Sequence, residues 1–350
     1  MSDTTVAGVR QGPGAGGEGI DPASGTGPAA VRADAAAGFA AVVERIDAGE
    51  LRFPLPGAGS TAARFDALSR VAEQDVCVAR LVEGHVDAVA ILAELDGPPP
   101  APGSRWGVWA AEPPGEGLTF ARSGGSWSVT GLKRYCSGAH SCTHALVTAE
   151  AEGERRLFAV AVDGPSVTPV AGTWQAVGMA GSDTPDVRFR ATPAVPVGAP
   201  GAYVHRPGFE HGGVGVAACW YGGAVGVARA LRAAAARRPE PHTDAHLGSV
   251  DMLLHAASAV LTEAAGEIDR DPLDKEEGAR LRAMRVRAFV EHVCDEVLRH
   301  VGRATGAGPL CHDPRHARAA ADLAVYVRQH HAERDLAALG AAVARPGEDA

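Results

Sequence analysis

Trp127-Ser128-Val129-Thr130-Gly131-Leu132-Lys133-Arg134-Tyr135-Cys136-Ser137-Gly138-Ala139, followed closely by His144-Ala145-Leu146-Val147-Thr148-Ala149, reads as two short strands that each end at a turn. Tyr135 and Ser137 stand two residues apart, which puts an aromatic ring and a hydroxyl on one face of an extended backbone. Such a pair suits a flat, polar-edged ring: the aromatic side chain covers its face, and the hydroxyl and nearby backbone N–H groups meet its heteroatoms. An ordinary solvent-facing hairpin uses the same residue types, so the segment alone leaves both readings open.

Working outward, this stretch belongs to a series of strand patterns: Trp106 to Ala110, Leu118 to Arg122, Trp127 to Thr130, Ala145 to Ala149, Arg156 to Val162, Val167 to Pro169 and Val187 to Phe189. Turn residues separate most of them, which predicts a small antiparallel β-barrel or sandwich. Gly97-Pro98-Pro99-Pro100-Ala101-Pro102-Gly103 bounds the series upstream, because proline cannot continue a helix and biases the preceding residue away from one. Before that boundary the period is helical. Phe39, Val42, Val43 and Ile46 recur at helical spacing, Ser60-Thr61 precedes a second helix with Phe65, Leu68 and Val71 on one face, and Val76 to Leu95 carries a broad apolar stripe. His85 lies beside that stripe and reads as a packing residue rather than a ligand. After Pro207 the helical period returns over Gly212 to Ala236, Leu247 to Ile268, Glu276 to Gly302 and Pro314 to Leu339, which predicts a four-helix bundle.

The expected architecture is therefore α+β. Residues 1–32 form a tail too poor in large apolar side chains to repay the entropy of ordering. A helical region follows over 33–103, a central β domain over 104–206, a C-terminal helical bundle over 207–342 and a short tail over 343–350. At 350 residues the chain is long enough for a large core. Its net charge of −9, without any basic cluster, argues against a nucleic-acid partner. The six cysteines are scattered and include no Cys-x-x-Cys pair, which points to a reducing, cytoplasmic compartment and gives no metal site. There is no apolar run of about 18 residues and no secretory leader pattern, so no membrane span is expected.

The order of helices, strands and helices, with the central motif, resembles the acyl-CoA dehydrogenase superfamily of flavoproteins from about Ala35 to Gly340. In that family one flavin-contacting segment commonly reads Gly-x-Lys, an aromatic, one residue, then Thr or Ser, similar to Gly131, Lys133, Tyr135, Cys136 and Ser137 here. Another carries Thr-Glu-Pro, and Trp109-Ala110-Ala111-Glu112-Pro113 keeps Glu-Pro but has Ala111 at the hydroxyl position. Gly172 to Thr184 resembles the family's turn into the strand Asp186 to Phe189, Pro193 to Pro196 its exit from the barrel, and Gly302 to Gly308 its glycine-rich cofactor turn. The resemblance implies FAD, with Trp109, Ala111, Glu112, Tyr135, Cys136, Ser137, Gly302 and Gly306 in contact with it. It further implies an acyl-CoA-like substrate, an electron acceptor or flavin reductase, and a homo-oligomer.

The same comparison exposes departures. The family's two positions for the glutamate base fall near His330 and Val216, and neither holds a carboxylate. His330 or His331 is the nearest replacement, since a neutral imidazole accepts a proton near pH 7. On a continuous helix His331 and Asp335 would be i and i+4, favouring His331, although a solvent-facing, salt-bridged helix has the same pattern. Arg237-Arg238-Pro239 lacks the family's Phe-Gly, and His246 stands near its glutamine. The leading expectation is an FAD-dependent oxidoreductase acting on the CH–CH group of an acyl thioester. The alternatives are a flavin-dependent monooxygenase on the same fold and a catalytically degenerate partner subunit.

Overall fold

The computed structural model describes residues 27–345 except 116. Of the tails expected over 1–32 and 343–350, residues 1–26 and 346–350 lie outside the described residues, while 28–32 form the start of the first helix and 343–344 the end of the last, so the helical fold reaches further at both ends than expected. Among the described residues three helices come first: α1 (Pro28–Asp47), α2 (Thr61–Gln74) and α3 (Val76–Glu94). Helix α1 begins several residues before Ala35, with a proline in its first turn, where the missing N–H costs nothing. Asp75 caps α3 by accepting the Val78 N–H at 2.9 Å.

Seven strands follow: β1 (Trp106–Trp109), β2 (Leu118–Ser123), β3 (Ser126–Lys133), β4 (His144–Ala151), β5 (Glu154–Ala161), β6 (Val167–Pro169) and β7 (Val187–Val197). They form one sheet in the order β1-β4-β5-β7-β3-β2, with β6 against β7. Two features differ from the expected pattern. Strand β1 pairs with β4 in parallel, the other pairings being antiparallel. Strand β7 continues through Pro193 and Pro196 instead of leaving the domain there, its first part pairing with β3 and its end with β5. Prolines survive in this strand because it changes partners along its length and bulges at Ala191, whose φ is +47°. Gly131 has a φ of +130° at a register shift of β3, and a Cβ there would lie 2.2 Å from Gly117 O, so a side chain is excluded.

The remaining chain is helical: α4 (Ala202–His205), α5 (Pro207–Arg237), α6 (Pro241–Arg270), α7 (Ala279–Thr305), α8 (Ala307–His312), α9 (Pro314–Tyr326) and α10 (Glu333–Ala344). Helix α5 is the one described helix long and apolar enough to cross a membrane, but 67% of its most apolar stretch is buried inside this fold. It is a core helix. Small residues let its neighbours approach: a Cβ at Gly222 would lie 2.1 Å from Ser69 O, and Ser69 Oγ donates to Ala218 O at 2.9 Å.

The segment expected as one helix from Pro314 to Leu339 is broken. Helix α9 ends at Tyr326, Val327–Gln329 form one 3-10 turn, and α10 starts at Glu333. Ala332 has a φ of +47°, incompatible with a continuous helix, and Asp335 accepts the His331 N–H at 2.9 Å.

His85 is a packing residue, as read: it is buried, meets Phe39 edge-on at 6.0 Å and accepts the Trp106 N–H at Nδ1 (3.3 Å). Burial pushes its pKa down to about 4. The unfolded chain therefore binds a proton below about pH 6.5 that the folded chain refuses until about 4. Stability from this group is complete above pH 6.5 and declines by up to about 3 kcal/mol as pH falls to 4. In urea melts, His85→Gln should flatten that part of the pH profile; an unchanged slope contradicts the assignment. Gly222→Ala should cost about 1–3 kcal/mol through backbone displacement, read as a lower urea midpoint.

Candidate functional site

The end of β3 and the loop after it are laced to the segment 178–185. Cys136 N–H donates to Pro185 O (3.0 Å), Gly138 N–H to Ser182 O (2.9 Å) and Ala139 N–H to Asp183 O (3.2 Å). Three hydroxyls line up across this seam. Ser182 Oγ donates to Met179 O (2.8 Å) and lies 2.8 Å from Thr184 Oγ1, and Thr184 Oγ1 donates to Ser137 Oγ (3.2 Å). Trp109 Nε1 donates to Ser137 O at 2.9 Å, fixing β1 against the same residue.

The seam is anchored in the bundle. Asp322 on α9 accepts the Met179 N–H (2.5 Å), and Gly178 packs so closely that a Cβ would lie 2.0 Å from Ala321 O. The loop that holds Ser137 is thus attached to the helix that leads to His330.

The residues expected at the site divide into two groups. Trp109, Tyr135, Cys136 and Ser137 come together. Within this group Tyr135 is 53% exposed at a φ of +59°, while Trp109 and Ser137 are buried. Cys136 faces the core, its thiol donating to Lys133 O and its pKa raised by burial. Lys133 is buried too and donates to Thr148 Oγ1 at 2.7 Å, so this part of the motif ties β3 to β4. Ala111 is exposed, and Glu112 pairs with Arg155 at 2.7 Å. Gly302 lies inside α7 and Gly306 between α7 and α8, with nothing within 4 Å of a Cβ at either position. The glycine-rich turn is thus a helix end and a helix junction, with no close approach of a neighbour at either glycine.

Tyr135 is the place where this chain's residues could hold a flavin ring. Among the described residues, the N–H groups of Tyr135 and Ser137 donate no hydrogen bond, whereas that of Cys136 does. An exposed aromatic face beside two unengaged donors is the chemistry the ring requires. Nothing comparable marks the adenine end, because α5 ends at Arg237 and His246 Nδ1 lies 2.8 Å from His300 Nδ1.

His330 and His331 occupy the break between α9 and α10 and have different surroundings. His331 is exposed, with Nδ1 3.4 Å from Asp335 Oδ1. His330 is 3% exposed, and neither ring nitrogen has a hydrogen-bond partner; its Nε2 is 4.0 Å from Asp335 Oδ2. Burial lowers its pKa, against the opposing pull of Asp335, which keeps the ring neutral. The reading that favoured His331 assumed a continuous helix; the break instead points His330 inward.

Several residues of this interior escaped the sequence reading. Arg287 on α7 donates to Gly213 O (3.1 Å) and Gln329 O (3.2 Å) and places its guanidinium 4.6 Å from the Trp220 ring centre. Trp220 Nε1 and the Tyr326 hydroxyl are buried without partners. On α3, Arg80 and Glu83 form a 2.5 Å ion pair. A signal existed: Arg80, Glu83 and Asp87 stand at i, i+3 and i+7 on a helix whose only other polar residues are His85 and Glu94, and Arg287 interrupts the buried stripe Ala283, Val286, Val290 of α7.

Comparison with solved structures identifies the fold. The dibenzothiophene monooxygenase TdsC from Paenibacillus sp. A11-2 is similar with a TM-score of 0.73 and 17% identity, over 90% of this chain and 96% of that one. A nitrososynthase from Micromonospora carbonacea var. africana gives 0.67 and 20%, over 94% and 98%. Butyryl-CoA dehydrogenase from Megasphaera elsdenii gives 0.67 and 16%, over 91% and 90%. This chain has the acyl-CoA dehydrogenase fold. No protein-family model matches the sequence, and no curated protein matches it.

Burial pushes the Asp322 carboxyl up to about 6 from its ordinary 3.8. The folded chain therefore holds a proton that the unfolded chain releases between those values, and stability falls as pH rises through that window. Above pH 6 the ionised form costs about 3 kcal/mol. Asp322→Asn keeps an oxygen for Met179 N–H and should gain about 1–3 kcal/mol at pH 7.5 with little change at pH 4. A variant less stable than wild type at pH 7.5 in urea melts would refute this.

Proposed function

We propose that the chain is a flavin-dependent oxidoreductase of the monooxygenase type, supplied with electrons by a separate reductase and acting with oxygen on a small molecule. The observation that carries this reading is His330: among the described residues a buried imidazole with both nitrogens unengaged and a pKa lowered by burial, near the position where the family resemblance would put the glutamate of acyl thioester oxidation. The buried carboxylates among the described residues are committed elsewhere. Glu83 pairs with Arg80, Asp183 accepts the His140 N–H, and Asp322 accepts that of Met179.

Tyr135 and the N–H groups of residues 135 and 137 would hold the isoalloxazine, with Ser137 at its polar edge. When bound, a reduced flavin would supply the electron pair that oxygen requires. His330 takes a proton from the substrate, Asp335 favours the imidazolium that forms, and Arg287 sits within electrostatic reach to stabilise developing negative charge. The contacts concentrate at the ring end, which supports FMN as readily as the FAD expected from the sequence. TdsC, similar in fold, has been seen with FMN.

Titration of purified protein with FMN and FAD should give dissociation constants within about tenfold of each other, since the ring supplies the contacts. Acyl-CoA thioesters added anaerobically should leave bound flavin oxidised. With a reductase, NADH and oxygen, His330→Ala should lower turnover of an accepted substrate by about 100-fold or more, and His331→Ala only slightly. Bleaching of the flavin by an acyl-CoA, or failure of folded protein to bind either flavin, would overturn the proposal.

A further inference from the structure

Helix α3 is buried on nearly every side, yet one of its stripes carries Arg80, Glu83 and Asp87. Burying such charges costs several kcal/mol each, and an ion pair in this setting is no more stabilising than well-packed apolar residues. The stripe therefore calls for an explanation other than stability. Around Arg80 the interior is shaped rather than merely filled. Gly84, one turn on, leaves space in which the guanidinium lies: a Cβ there would be 3.3 Å from Arg80 Nη1 and 3.9 Å from Val108 N.

Against this guanidinium is a cavity of about 10 Å³, lined by Arg80, Gly84, Trp106, Gly107, Ser137 and Cys142. That is room for about one oxygen atom. Among the described residues Arg80 donates one hydrogen bond, from Nη1 to Glu83, and a guanidinium has five N–H donors. The Glu83 carboxylate, working against desolvation, keeps Arg80 charged. A cationic fork and a single-oxygen cavity thus meet at Ser137, the residue proposed to stand at the polar edge of the flavin.

The geometry points to Arg80 as the anchor for an oxyanion of the substrate, so that the molecule oxidised here is an acid of the carboxylate class. This assignment rests on the flavin-dependent reading for the identity of the site, but the binding itself needs no flavin. One carboxylate oxygen enters the cavity and accepts from Arg80; Gly84 keeps the space open, and Glu83 competes for the same guanidinium.

The test is calorimetric titration of the flavin-free protein with acetate against isosteric acetamide, at ionic strength held constant with chloride. Acetate should bind at least about tenfold more tightly than acetamide. Arg80→Gln should abolish the difference, Gly84→Ala should abolish it by filling the cavity with the charge left in place, and Glu83→Gln should strengthen acetate binding. Circular dichroism melts establish that each variant folds, and Arg80→Lys provides a cationic control that retains part of the preference. Equal binding of acetate and acetamide by wild type, or acetate binding by folded Arg80→Gln as tight as wild type, overturns the proposal and means that the cavity holds water only. Acetate selectivity in a protein that fails the flavin and oxygen tests would retain the oxyanion site while removing the monooxygenase reading.

Discussion

The fold depends on α3 being gripped from both sides. One side of the helix, through Ala88, Ile91 and Leu92, packs with Trp106, Leu146, Leu157 and Val197 of the sheet; the rest joins the core shared with α1, α2 and α5. A helix in that position has almost no solvent-facing side, so its few polar residues must find partners inside the protein. Glu83 finds Arg80, Asp87 stands 4.0 Å from Arg64, and His85 finds the backbone of β1. Burial of α3 therefore both joins the sheet to the bundle and creates a polar strip in the interior between them.

A second attachment joins the same two layers. The loop 178–185 binds the residues after β3 through backbone hydrogen bonds and binds α9 through Asp322 and the close contact of Gly178 with Ala321. The consequence is functional. Ser137 and Tyr135 on one side, and His330 at the end of α9 on the other, are positioned by one connected set of contacts. Asp322 is the side chain that joins the two halves of this set.

Much of the architecture was legible before the structure. The proline run at 98–102 divides helix from strand because proline lacks the donor that a helix needs, and the apolar periods of α3, α5, α6 and α7 follow from one-sided burial. The packing role of His85 was legible too, but Tyr135 and Ser137, expected on one face of an extended backbone, part company: the strand ends at Lys133, Tyr135 takes a φ of +59° that leaves its ring exposed, and Ser137 is buried. Less legible were the features that depend on distant partners. Whether β1 runs parallel to β4 is a matter of chain routing, and β7 tolerates prolines because it changes partners midway. Arg80 and Arg287 were visible as charges on apolar stripes, but nothing local said what they face.

The sequence by itself determined the order of elements, the boundary between them and the local chemistry of the motif at 131–137, because these rest on neighbours one to four residues apart. Only the tertiary structure decided that the helix expected through His330 and His331 breaks. Asp335 captures a backbone N–H, Ala332 takes a left-handed conformation, and the break turns one imidazole inward and leaves the other in solvent. A heptad's worth of sequence describes both histidines alike. Which of them is buried depends on α7 and α5, distant in the chain but adjacent in the fold, where Arg287 holds Gln329 and Gly213 together.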